Sequence, residues 1–357
     1  MRILVTGNQG YVGPVLGRHL RDTWPDATLI GFDAGFFAAM LTAPDGVSPE
    51  HSFDRQVFGD VRDLDPRLLR GVDAVVHLAA VSNDPMGSRF EAVTAQINAA
   101  ASVALARAAR AAGVRSFVFA SSCSVYGFAP GDARTEDDPL NPQTAYARSK
   151  VDTEAALASI GGDAMAITCL RFATACGMSD RLRLDLVLND FVASALATGE
   201  VTVMSDGTPW RPLIDVRDMA RAIAWACARD PGTDTPFLAV NVGTAAANVR
   251  VIEIAGEVCA AIPGARVRVN PAAPPDTRSY RVDFARFAAL APRHQPRVTL
   301  SRSVAMERDG LTALGFADAD FRQSRLMRLR MLEHHIAAGR LDDRLRWTAR
   351  AFPEWAA

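Results

Sequence analysis

Residues 2–13, RILVTGNQGYVG, run from a short apolar stretch into a glycine-rich turn and the start of a helix. Gly7 ends the apolar run, and Gly10 and Gly13 come after it at three-residue spacing. Glycine lets a backbone turn tightly and come close to a pyrophosphate, which the amides and positive dipole of a helix N-terminus then hold. The stretch therefore predicts a dinucleotide site between a first strand and a helix over about Tyr11–Asp22. A glycine triplet alone is a weak signal, so its meaning depends on the segments downstream of it.

Those segments alternate. TLIGFD (28–33) reads as a second strand, AVVHLAA (74–80) as another, then a helix from about Phe90 to Gly113 and a strand SFVFASS (116–122). A helix through Lys150 to about Ser159 leads into a buried strand in AMAITCLRF (164–172). Such alternation predicts an α/β protein with a parallel sheet and helices on both faces. Asp33 closes the second strand where an acidic residue accepts hydrogen bonds from an adenosine ribose, and its charge repels a 2′-phosphate, which favours NAD over NADP. Asp60, in GDVRD, reads either as an anchor for the adenine end or as a plain turn residue.

Beyond residue 172 the pattern loosens into helices over about Leu186–Thr198 and after DVRDMARAIAWACA, with Pro-rich connections such as NPAAPPDTRS (270–279). The expected division is a dinucleotide-binding part over 1–172, whose core continues in part to about 245, a smaller ligand-covering region over 173–300, and a helical extension over 301–357. The extension centres on SRLMRLRMLEHHIAAGRL (324–341), whose charge pattern suits a solvated or docking helix.

Bulk properties narrow the partners. The chain has 357 residues, 49% hydrophobic and 22% charged, as expected of an ordinary globular interior. A net charge of -1 and a pI near 6.6 provide no basic field for nucleic acid or an anionic membrane. No apolar run approaches the roughly twenty residues of a bilayer span, and the N-terminus lacks signal-peptide character. The five cysteines form no close CxxC pair, and His77 has no cluster of ligands around it, so neither a metal site nor a disulfide framework is indicated. The cytoplasm is the expected compartment.

TAYARSK (144–150) places Tyr146 and Lys150 four residues apart, on one face of a helix. A neighbouring ammonium lowers a phenol's pKa toward the range of a general base. By itself the pair reads either as catalytic or as two surface residues.

Taken together and in order, TGNQGYVG, GDVRD, HLAA (77–80), SSCSVYG (121–127), YARSK (146–150), LRF (170–172), RPLIDVRDMA (211–220) and NVG (241–243) resemble the extended short-chain dehydrogenases. The resemblance is to their nucleotide-sugar epimerase and dehydratase branch, of the UDP-glucose 4-epimerase kind, and runs from Met1 to about Leu300. It implies a Rossmann-type doubly wound parallel sheet with a smaller C-terminal substrate-binding region, bound NAD, and a nucleotide-sugar substrate. It identifies Tyr146 with the catalytic tyrosine, Lys150 with its partner and a cofactor contact, and Ser122 with the hydroxyl that holds the reacting sugar oxygen. Asn98 matches an asparagine that supports the active-site helix, although asparagine also suits helix starts.

Departures from the family pattern shape the expected reaction. Where the 4,6-dehydratases carry Asp and Glu after the catalytic Ser/Thr, this chain has Cys123 and Ser124. The resemblance then implies a 4-epimerase working through a transient 4-keto sugar, with a 4-keto-sugar reductase, an unusual dehydratase or a silent NAD sensor as alternatives. Cys123 is either a tuned acid or a small apolar filler. Arg211 matches a diphosphate contact and otherwise reads as a surface ion-pair residue. Asp276 and Arg278 fall near another diphosphate and ribose segment, Thr174 replaces a usual asparagine, and Ser82 is either a sugar contact or a turn former. A homodimer through the helix after Asn98 and the Tyr146 helix is also implied.

Overall fold

Ile3, Leu4 and Val5 are all fully buried, so the first strand has both of its faces covered, as in a parallel sheet packed between helices. The computed structural model describes residues 1–43, 45–162, 164–270 and 279–348. Its strands are β1 (Arg2–Thr6), β2 (Thr28–Asp33), β3 (Arg55–Phe58), β4 (Ala74–His77), β5 (Ser116–Ser122), β6 (Ala129–Arg134) and β7 (Ala166–Phe172). The chain continues through β8 (Thr174–Cys176), β9 (Glu200–Val203), β10 (Trp210–Asp215), β11 (Phe237–Val242), β12 (Asn248–Arg250), β13 (Arg266–Val269) and β14 (Tyr280–Val282).

Seven of these strands form one parallel sheet in the order β11-β7-β5-β4-β1-β2-β3. The winding reverses between β1 and β4, and such a switch point leaves a crevice at the carboxyl ends of the strands. Helices Gly13–Thr23 and Val216–Cys227 pack together on the face that takes Ile3 and Val5, while Leu105 of helix Ala101–Ala111 and Leu157 of helix Ala145–Ala158 pack on the face that takes Leu4. This is the doubly wound Rossmann arrangement that the alternation predicts.

Local chemistry moves several boundaries. The first helix starts at Gly13 rather than Tyr11, with Pro14 in its first turn where a missing N–H costs nothing. The strand expected over 74–80 ends at His77, because Leu78 and Ala79 swing against the glycine turn. The helix expected over 90–113 is interrupted: Glu91–Thr94, a π-helical stretch Ala95–Ala100, and Ala101–Ala111. Asn98 lies in the wide turn, and its amide grips the Val81 backbone, accepting from the N–H at 2.8 Å and donating to the carbonyl at 3.0 Å. A π-turn of this kind inserts a residue to aim one side chain inward.

Strands β12, β10 and β8 make a small sheet beyond the main one, and β13–β9 and β14–β6 pair separately. Helix Val187–Thr198 ends on Gly199, whose φ of 69° is the left-handed conformation favoured just after a helix. Helix Leu300–Ala313 packs on helices Val187–Thr198 and Val251–Ala261. The chain then returns to the N-terminal half. Helix Arg328–Ala337 buries Arg328, Met331, Leu332 and His335, so the expected docking helix docks on its own chain. Hydrogen bonds tie it and the turn after it to the ends of β2 and β3: His335 Nε2 with the Phe36 carbonyl at 2.9 Å, Trp347 Nε1 to the Ala34 carbonyl at 2.6 Å, and Arg62 Nη2 to the Leu345 carbonyl at 3.1 Å. No described helix is long and apolar enough to cross a membrane.

Candidate active site

A cleft runs across the carboxyl ends of the central strands. On the β2–β3 side its walls include Asp33 and Asp60, in the middle Gly7 and Gly10, and on the β5–β7 side Ser122, Ser124, Tyr146, Lys150 and Thr174. The glycines are required by contact. A Cβ on Gly7, whose φ is +76°, would stand 2.5 Å from the Ala79 nitrogen, and one on Gly13 would stand 1.9 Å from the Asn8 carbonyl oxygen. Gly13 therefore allows the helix to close on the strand and does not itself line the cleft, whereas Gly10 does.

Asp33 is held by two backbone amides, Gln9 N–H to Oδ2 at 2.9 Å and Gly35 N–H to Oδ1 at 2.7 Å. Burial raises its pKa, and these two amides offset part of the rise. Asp60 caps the turn Val61–Asp63 and pairs with Arg62, Nη2 to Oδ2 at 2.5 Å. Burial pushes the Asp60 carboxyl up, but the Arg62 hydrogen bonds outweigh it and hold the group below its ordinary range. It is both a turn residue and a cleft residue.

At the other end, Ser122 closes β5 and its Oγ accepts the Ser124 N–H at 3.1 Å. The Ser124 hydroxyl is buried without a protein partner. Thr144 caps the helix that carries Tyr146 and Lys150, its side chain accepting the Ala147 N–H at 3.1 Å. Lys150 Nζ donates to the Ala120 carbonyl at 2.7 Å and lies 4.5 Å from the Phe119 ring centroid and 5.5 Å from that of Tyr146. Burial lowers its pKa to about 8.

Here the expected electrostatics need correcting. In the chain without nucleotide, burial pushes the Tyr146 phenol up to about 12 rather than down, and the two opposing influences are the charge of Arg183 and the hydroxyl of Ser122. Lys150 is not among them; its ammonium points at a carbonyl and two ring faces. Arg183, which is not evident from the sequence, lines the cleft, donates to Ser82 Oγ at 2.8 Å and is gripped by Asp185 through Nε at 2.6 Å and Nη2 at 2.9 Å. Its one sequence signal is the run RLRLD (181–185), in which arginines alternate with leucines that are fully buried.

Three other expected site residues lie off the cleft surface. Cys123 is fully buried and faces away from the cleft, its thiol donating to the Arg171 carbonyl at 3.0 Å; burial pushes the thiol far above its ordinary pKa, so it is neither an acid nor a substrate contact. Arg211 lies on β10 outside the cleft walls, with Nη1 on the neighbouring Trp210 carbonyl at 2.9 Å. Asn98 touches no cleft surface; besides Val81 it donates to Ser149 Oγ at 3.1 Å, which makes it a positioning residue for the Tyr146 helix. Ser82 and Thr174 do line the cleft. Asp276 and Arg278 lie outside the described residues. His77 packs at the end of β4, bonded to Thr6 and Ser102, with burial lowering its pKa to about 3.

A parallel sheet of this order, a glycine turn after its first strand, and a Tyr-x-x-x-Lys helix on the same crevice define a dinucleotide-binding protein of the extended short-chain dehydrogenase type. The profile of the NAD-dependent epimerase/dehydratase family matches residues 3–243, and the chain belongs to that family. NAD is its cofactor, and the glycines that admit no Cβ, with the amide-held Asp33 beside them, fit that group. A UDP-glucose 4-epimerase of Corynebacterium glutamicum is 30% identical over 277 residues, covering 72% of this chain and 80% of its own. The structure of MoeE5 in complex with UDP-glucuronic acid and NAD is similar with a TM-score of 0.74 at 26% identity, covering 87% of this chain and 99% of that one. TunA, a NAD-dependent NDP-hexosamine 5,6-dehydratase, shares the fold with a TM-score of 0.74 at 24% identity over 89% of this chain and 99% of its own.

Proposed function

We propose that the protein epimerises a nucleotide-activated sugar at C4 through a transient 4-keto intermediate. The observation that carries this reading is that no carboxylate lines the Tyr146 end of the cleft: among the described residues its acidic lining groups are Asp33 and Asp60, both on the adenosine side, while Asp185 is paired with Arg183 and Asp84 acts on the phenol from outside the lining. A dehydratase needs an acid and a base to remove water from the sugar, and with Cys123 turned into the core only the Ser124 hydroxyl remains at those two positions.

In this reading Ser122 holds the C4 oxygen, and Tyr146, ionised when the site is loaded, removes its proton. Bound NAD supplies the hydride acceptor for the same carbon and the donor for the return step. Tyr146 gives the proton back once the keto sugar has turned over in the cleft. Arg183 and Ser122 favour the phenolate, and the positive nicotinamide adds to them. Lys150, fixed on Ala120, binds the cofactor's ribose, while Gly7, Gly10, Asp33 and Asp60 take its other half. Ser82, Ser124 and Thr174 face the sugar, and from the region after residue 172 Arg183, Leu186 and Tyr280 add to that wall. The UDP-sugar relatives favour a uridine nucleotide. Free cysteines, four of them buried, support a reducing compartment such as the cytoplasm. A homodimer through helices Ala101–Ala111 and Ala145–Ala158 completes the proposal, and light scattering tests it.

The deciding experiment is mass-resolved chromatography of the purified protein with UDP-, dTDP-, GDP- and CDP-sugars. A product of unchanged mass and shifted retention, absent with Tyr146→Phe, is expected. Loss of water or gain of two hydrogens would replace the proposal with a dehydratase or a reductase.

A further inference from the structure

Arg328 belongs to the C-terminal helix, yet it lines the same cleft as Gly10 and Asp33. It is 2% exposed, and its guanidinium stacks 4.4 Å from the Phe37 ring centroid. Two of its five N–H donors are used, Nη1 on Met40 Sδ at 3.1 Å and Nη2 on the Arg181 carbonyl at 2.6 Å. Neither partner is an anion. The contrast with its neighbours is sharp: Arg181 pairs with Glu50 at 2.6 Å and Arg183 with Asp185 at 2.6 Å, whereas no carboxylate among the described residues lies within ion-pair distance of Arg328.

A buried cation without a counter-ion is costly, and buried charges are ordinarily paired. Burial lowers the Arg328 pKa to about 9, with Arg183 and Arg181 adding to the fall and Asp185 and Asp33 opposing it. At neutral pH the group remains a cation, on which Asp185 and Asp33 act only from beyond ion-pair distance. Its geometry supplies planar donors of the kind that match phosphate oxygens.

We infer that Arg328 is a phosphate-binding residue of the cofactor site, which brings the C-terminal segment into contact with the NAD pyrophosphate. Leu332 and Leu345, from the same segment, line the cleft with Arg328, so the segment forms one wall of the nucleotide half of the site.

The test uses the full chain freed of nucleotide, titrated calorimetrically with NAD, ADP-ribose, adenosine and UDP. Arg328→Gln is expected to weaken NAD and ADP-ribose by roughly ten- to a hundredfold, the range of a charged hydrogen bond, and to leave adenosine unchanged. Arg328→Lys, which keeps the charge and loses the fork, is expected to fall between. Unchanged NAD affinity in Arg328→Gln would overturn the inference, and so would a loss confined to UDP, which would assign the cation to the sugar nucleotide. Should Arg328→Gln not fold, hydrogen exchange on the unaltered chain decides: NAD is expected to slow exchange over residues 328–347 more than adenosine does, and equal protection by the two would refute the assignment.

Discussion

Arg183 holds a buried positive charge that acts on the Tyr146 phenol, while Lys150, one helical turn from that phenol in sequence, spends its ammonium on the Ala120 carbonyl. These two cations thus do different work. One acts on the phenol, and the other is held by a backbone carbonyl beside the Phe119 and Tyr146 rings.

Removing the first cation should raise the phenol's pKa and so reduce the phenolate present at neutral pH. For Arg183→Gln, kcat/KM at neutral pH is expected to fall about tenfold each time the phenol's pKa rises by one, and to recover as the solution is made more alkaline. Asp185, left unpaired, will also weaken the fold, so Arg183→Lys, which keeps the charge, should retain the parental pH profile. Identical profiles for Arg183→Gln and the parent would dissociate Arg183 from Tyr146.

Burial holds the Tyr146 phenol at about 12 in the nucleotide-free chain. Oxidised NAD brings a positive ring, so the phenolate absorbance, taken as parent minus Tyr146→Phe, should appear at lower pH with NAD than without it. NADH, lacking that charge, should leave the titration close to that of the free chain. The readout is the ultraviolet difference spectrum.

Beneath the cleft, Arg171 and Glu154 form a buried pair, Nη2 to Oε2 at 2.7 Å, with the Ser121 hydroxyl also bonded to Glu154 and Arg171 Nη1 donating to the Tyr126 hydroxyl at 3.0 Å. Glu154→Gln leaves the guanidinium uncompensated and should cost about 3–5 kcal/mol in urea unfolding. Replacing both residues by apolar ones of similar volume should recover much of that loss. A single variant as stable as the parent would show that the pair is not coupled to folding.

Glu307 is fully buried in the helix Leu300–Ala313, and no hydrogen bond reaches either carboxyl oxygen; the Gly177 amide donates to Asn189 at 3.0 Å instead. Burial first, and the charge of Asp215 second, hold its pKa well above the carboxylate range. The folded chain keeps this proton while the unfolded chain releases it above about pH 4, so this residue makes stability fall as pH rises toward neutrality. Glu307→Gln removes that dependence. Its melting temperature should gain on the parent's between acid and neutral pH, whereas parallel curves would contradict a neutral Glu307.

The sheet and the two ends of the cleft were legible because they are written locally: an apolar run before Gly7, an acid ending β2, a Tyr and a Lys one turn apart. The rest depends on contacts across the fold. Residues 90–113 carry the alanine-rich content of one continuous helix, and the π-turn in it exists because Asn98 bonds to Val81. Cys123 stands next to Ser122 in sequence but points the opposite way from the strand end. Arg183 and Arg328 occur among other arginines; apart from the alternation of RLRLD around Arg183, nothing in their neighbours distinguishes them as buried.

Trp347 bonds to Ala34 across 313 residues of chain. Contacts of such high sequence separation close late and slowly, since the entropy of a long loop must be overcome before they form. The first strands can pair and turn at Gly7 early, but the nucleotide pocket they begin is finished only when the distant C-terminal segment arrives. Cofactor occupancy and the final closure of the chain are therefore thermodynamically linked. Free NAD in excess of its dissociation constant should act as a folding ligand, shifting the population toward the closed chain by mass action.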